Sequence, residues 1–82
     1  MKFFYTYVLK SGKDKKLYIG YTKDLRNRFE QHNDGLVEST KDRRPFILIY
    51  YEACLNEKDA IVREKQLKTG FGRAYLKRRL SD

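Results

Sequence analysis

Leu17-Tyr18-Ile19-Gly20-Tyr21-Thr22-Lys23-Asp24-Leu25-Arg26-Asn27-Arg28-Phe29-Glu30-Gln31-His32 changes from a strand-like to a helical pattern within one stretch. The apolar and aromatic run Leu17 to Tyr21 contains a single Gly, and Leu25, Phe29 and His32 then recur at helical spacing. Arg28 and His32, four residues apart, fall on one helix face, flanking the Leu25/Phe29 stripe at the edge of the sheet-facing surface. Thr22 is the expected cap of a helix running from Lys23 to about Asn33, and Asp34-Gly35 supplies its stop.

Upstream, Phe3 to Leu9 is apolar and aromatic, and the polar segment Ser11 to Lys16 joins it to Leu17 as a hairpin with a basic loop. Downstream, residues 36–45 form a polar loop. Phe46 to Tyr51 is a nearly continuous apolar run, expected as a central strand buried on both faces. Cys54 is expected as a buried small residue ending that strand. Asn56 caps a helix from Glu57 to about Thr69, with Glu57 and Asp59 in the first turn and Lys65 and Lys68 near the end, as the macrodipole prefers. Gly70 ends it, and a short helix from about Arg73 to Leu80 follows. The order is ββαβαα: an α+β fold, a three-stranded, mainly antiparallel sheet flanked by helices, in one domain spanning 1–82.

Nineteen Lys plus Arg against eleven Asp plus Glu leave a formal charge of +8. That balance favours a polyanionic partner, nucleic acid, over an acidic small molecule. A chain this short buries only ~60 to 65% of its unfolded surface, so the domain has to grip its target itself. No apolar segment approaches the roughly 20 residues of a spanning helix, and no signal-peptide core follows Met1-Lys2, which argues against a membrane. A single cysteine excludes an internal disulfide and makes a reducing, cytoplasmic compartment the default.

Glu64 stands out because it falls with Ala60, Ile61 and Leu67 on the face of its helix that should enter the core. A bare carboxylate there is costly. Either Lys68 at i+4 neutralises it, or it coordinates a hard cation such as Mg²⁺ or Mn²⁺, which keeps waters and takes other ligands from phosphate. Tyr7 and Tyr18 lie on the two hairpin strands, where cross-strand pairing can bring their hydroxyls to one face. Lys65, Lys68, Arg73, Lys77, Arg78 and Arg79 form an acid-free basic run expected as a phosphate-tracking surface, with Lys15 and Lys16 of the hairpin loop, beside Lys10 and Lys13, as a second contact. Nothing in the chain reads bases, so selection of a structure such as a flap, branch, end or single strand, or targeting by a protein partner, is expected.

Tyr7, then Tyr18-Ile19-Gly20, then Arg28 and His32, then Glu64 together resemble the signature of the GIY-YIG endonuclease superfamily, over nearly the whole chain. The chain is most similar to small stand-alone members related to the nuclease domain of the excinuclease C protein. Tyr5-Thr6 stand where the motif has Gly-Ile, and Lys68-Thr69-Gly70 stand where many relatives carry an Asn. The resemblance implies a divalent-metal-dependent endonuclease acting on nucleic acid, DNA ahead of RNA, with a link to DNA repair. It implies Glu64 as ligand of one Mg²⁺ or Mn²⁺ and Tyr7 as general base. Tyr18 positions water or phosphate, Arg28 stabilises the transition state, and His32 bonds a catalytic Tyr or the scissile phosphate. The rival from another class is a nucleic-acid-binding module that keeps the fold and cleaves little or nothing.

Overall fold

The computed structural model describes residues 1–80. Strands β1 (Phe4–Ser11) and β2 (Leu17–Thr22) form the hairpin, followed by α1 (Leu25–Asn33), a 3-10 turn (Lys41–Arg43), β3 (Phe46–Cys54), α2 (Glu57–Leu67) and α3 (Gly70–Leu80). The ββαβαα order and the α+β class are as expected, and the three strands pair antiparallel throughout.

Strand order is β2-β1-β3, which overturns the central placement of the Phe46 run. β1 is the strand buried on both faces, from Thr6 to Leu9, while Ile47 and Tyr51 of β3 are exposed. Alternation along β1 divides the core in two. Val8 joins Ile19, Leu67 and Leu76 under α2 and α3, and Tyr7 and Leu9 join Phe46 beneath Leu25 and Phe29 of α1. Burying both faces of one short strand lets so small a chain support two half-cores.

The helix ends differ from expectation for local reasons. Asp24, not Thr22, caps α1, accepting the Asn27 N–H at 3.2 Å, while the Thr22 hydroxyl accepts the Asp24 N–H. Asn56 caps α2 as expected, through the Asp59 N–H. α2 stops at Leu67, short of Thr69, because Thr69 already serves α3: its hydroxyl accepts the Gly72 N–H at 3.2 Å, and Gly70 opens α3 instead of only ending α2. A Cβ at Gly72 would fall 2.2 Å from the Gln66 carbonyl oxygen, so the closely folded α2–α3 corner requires glycine there. Cys54 does end β3, but it is only half-buried, its thiol donating to the Asn56 carbonyl.

A polar cluster holds α2 and α3 to β3. Arg63 forks onto both Glu52 oxygens at 2.9 and 3.0 Å, Tyr50 donates to Glu52 at 2.6 Å, and the Arg63 and Arg79 guanidiniums lie over the Tyr75 ring. Burial pushes the Glu52 carboxyl up, but the Arg63 fork and the Tyr50 hydroxyl outweigh it and hold it below its usual range.

Candidate active site

β1 and β2 present Tyr7 and Tyr18 on the α1 side of the sheet, and α1 brings His32 against both. The ring centroids of Tyr18 and His32 are 5.0 Å apart, and those of Tyr7 and His32 5.7 Å. Gly20 makes this possible. It pairs with Tyr7 across the hairpin, and a Cβ there would sit 2.4 Å from the Tyr7 hydroxyl. Its place is mid-strand, where it serves to admit the Tyr7 ring.

The Tyr7 hydroxyl lies 2.8 Å from His32 Nε2, and His32 Nδ1 lies 2.7 Å from Thr40 Oγ1. Tyr7 is 1% exposed and His32 is fully buried. Burial pushes the Tyr7 phenol up to about 12; the Arg28 guanidinium facing it pulls the other way, while Tyr18 and the Glu64 charge push with burial. Burial, with repulsion from Arg28, brings His32 down to about 4. At neutral pH the pair is therefore a protonated phenol against a neutral imidazole. A tyrosine acting as general base near neutral pH calls for a lowered phenol pKa, and the protein's own groups move Tyr7 the other way.

Arg28 is half-buried, its Nη1 donating to Gln31 Oε1 at 3.2 Å. Glu64 sits on the α2 side that buries Ala60 and Leu67; its side chain is 21% exposed and its carboxylate pairs with Lys68 Nζ at 3.1 Å. The structural pair anticipated from spacing does form, but with its Lys68 partner exposed this i,i+4 pair is worth only ~0.5 kcal/mol and leaves the carboxylate available. Among the described residues no three His, Cys, Asp or Glu gather as a closed metal cage. A single hard carboxylate fits a partly hydrated Mg²⁺ or Mn²⁺ and does not fit a permanent zinc site.

The two basic surfaces read from the sequence meet in one open groove of about 1210 Å³. Lys10, Lys15 and Lys16 line it from the hairpin and Lys68, Arg73 and Lys77 from the helices, over an apolar floor that includes Ile19, Ile49 and Leu76. Tyr18 belongs to both the groove and the tyrosine–histidine cluster. Lys65 and Arg78 do not line the groove. Arg79 is turned instead to the Tyr75 ring, 5.7 Å from its centroid, and Lys13 is held by the Asp42 carbonyl. Thr40 escaped the sequence reading altogether, for nothing about a threonine in a polar loop signals full burial against a histidine.

A hairpin bearing two inward tyrosines, a helix bearing Arg and His against them, and a glutamate on a later helix define a nuclease-type domain of the GIY-YIG class. A family model described as the GIY-YIG catalytic domain matches residues 3–79, and the chain belongs to this family. It is similar to a UPF0213 protein of Pediococcus pentosaceus, 50% identical over 66 residues that cover 79% of this chain and 68% of the relative. A UPF0213 protein of Staphylococcus saprophyticus is 42% identical over 66 residues, 79% of each chain. The solution structure of a UPF0213 protein from Bacillus halodurans superimposes with a TM-score of 0.56 at 30% identity, covering 90% of this chain and 81% of that one. No helix among the described residues is long and apolar enough to cross a membrane.

Proposed function

We infer that this protein is a divalent-metal-dependent endonuclease that hydrolyses nucleic-acid phosphodiester bonds by in-line attack of water, choosing its target by structure rather than sequence. The observation that carries this reading is the joining of the buried Tyr7–His32 pair with the half-buried Arg28, beside Tyr18, which also lines the cationic groove. Lysines and arginines along the groove grip phosphates, which sets register without reading bases. Arg28 presents a planar guanidinium to the reacting phosphate and offsets the charge that grows on it. Tyr7 accepts the proton of the attacking water as it passes its own to His32 Nε2, so no free phenolate is required. Tyr18 orients the water or the phosphate. When held by Glu64, one Mg²⁺ or Mn²⁺ supplies Lewis-acid polarisation of a phosphoryl oxygen and a more acidic water.

A binding module without cleavage is the second reading. Its support is the Tyr7 phenol, 1% exposed and pushed up to about 12. The two readings separate in one experiment: branched, flapped, single-stranded and duplex DNA and RNA are incubated with the protein, with Mg²⁺, with Mn²⁺ and with chelator. Metal-dependent cleavage of at least one structure is the expected result. Retention of substrates with none cut under any metal favours the binding module.

A further inference from the structure

The loop between α1 and β3 places one buried hydroxyl directly behind the His32 ring. Thr40 is fully buried, with Oγ1 2.7 Å from His32 Nδ1, while Nε2 on the opposite edge meets the Tyr7 hydroxyl at 2.8 Å. The direction of these bonds follows from the two ends of the chain. At one end the hydrogen-bond partner of the Tyr7 hydroxyl is His32 Nε2, and the Arg28 guanidinium whose charge acts on that hydroxyl can only donate, so the Tyr7 O–H has Nε2 as its acceptor. A neutral ring with a bare Nε2 carries its hydrogen on Nδ1, and the acceptor for that hydrogen is Thr40 Oγ1. At the other end the Thr40 hydroxyl donates to the Val37 carbonyl at 3.5 Å, a group that can only accept. The reverse sequence, Thr40 to Nδ1 and Nε2–H to Tyr7, leaves the Tyr7 O–H with no acceptor among the described residues.

We propose that Thr40 is a positioning residue of this site: its Oγ1 accepts the His32 Nδ1–H and so holds the ring in the tautomer whose Nε2 receives the Tyr7 proton. The catalytic consequence rests on the nuclease reading; the tautomer itself does not. Thr40 is kept in place from outside α1. Its carbonyl accepts the Arg43 N–H at 2.9 Å, the Arg43 carbonyl accepts the Ser11 hydroxyl at 2.6 Å, and the Arg43 guanidinium pairs with Asp14 of the hairpin loop. The hairpin that lines the groove thus also braces the loop that orients the histidine.

The chain contains one histidine, so the ring ¹⁵N spectrum of labelled protein reports His32 alone. At neutral pH the wild type should show a protonated Nδ1 and a bare Nε2. Thr40→Val keeps the side-chain shape and removes the acceptor; in a variant whose amide spectrum shows the native fold, the ring should shift toward the Nε2–H form, and Thr40→Ser should restore the wild-type pattern. On a substrate that is cut, Thr40→Val should slow single-turnover cleavage on the order of 10–100-fold with substrate affinity unchanged, and Thr40→Ser should recover it. An Nε2–H ring in the wild type overturns the proposal, as does a folded Thr40→Val with an unaltered ring spectrum. If Thr40→Val does not fold, the wild-type spectrum decides alone. The expected tautomer without cleavage of any substrate refutes the nuclease reading and leaves the placement of Thr40 standing.

Discussion

Acidification should destabilise this protein through His32 before its carboxylates begin to titrate. The folded ring, fully buried, has its pKa brought down to about 4, against an ordinary value near 6.5 in the unfolded chain. Between those values the unfolded chain binds the extra proton, so stability is complete above about pH 6.5 and declines as pH falls toward 4. Going from about pH 7 to about pH 5 removes roughly 2 kcal/mol, and full protonation of the unfolded imidazole brings the loss to about 3 kcal/mol. Urea unfolding across that range measures it, with His32→Gln as the reference. The variant starts less stable because it leaves Tyr7 and Thr40 without their shared partner, but its stability should be nearly flat above about pH 5, where carboxylates are still ionised in both states. Parallel pH dependences in the two proteins would refute a buried, neutral His32, and with it the Tyr7-to-His32 direction of the proton path.

Gly20→Ala drives a methyl into the Tyr7 hydroxyl and should cost about 1–3 kcal/mol by denaturant titration, with cleavage abolished as Tyr7 is displaced; a wild-type unfolding midpoint would contradict the close approach. Replacing Lys16, Arg73 and Lys77 together by Ala should weaken binding to every sequence alike and reduce the slope of log K against log[salt] by ~0.7 to 0.9 for each phosphate no longer neutralised; an unchanged slope would place the binding surface outside the groove. Arg79→Ala should leave that slope alone and lower Tm, because its guanidinium lies over Tyr75. Tyr7→Phe should fold and bind but not cut; full activity in it beside a sharp loss in Tyr18→Phe would reassign the proton path to Tyr18.

Local pattern sufficed for what depends on neighbours in the chain. The hairpin, the Asn56 cap and the i,i+4 placement of Arg28 and His32 all appear where spacing puts them. Strand order does not live in any local window. Phe46 to Tyr51 is a continuous apolar run, yet β1 is central because both β2 and β3 pair with it, leaving Ile47 and Tyr51 exposed at the sheet's edge. Charge is equally ambiguous before folding. Lys77 lines the groove, whereas Arg79, two residues on, turns to Tyr75 beside the Glu52–Arg63 cluster. The convergence of a hairpin loop with α3 into one groove, and of Thr40 with His32 across a loop, are tertiary events that composition does not encode.

Glu64 is expected to serve chemistry rather than folding, and single-turnover cleavage by Glu64→Gln separates the two roles. The substitution keeps the side chain's shape and gives up only the solvent-open pair with Lys68, so Tm should hold within the effect of ~0.5 kcal/mol. Measured with saturating protein on a substrate the wild type cuts, in Mg²⁺ and in Mn²⁺, the variant should bind nucleic acid as the wild type does without metal and leave it intact. Cleavage at the wild-type rate by folded Glu64→Gln would remove Glu64 from the chemistry and leave it a purely structural partner of Lys68.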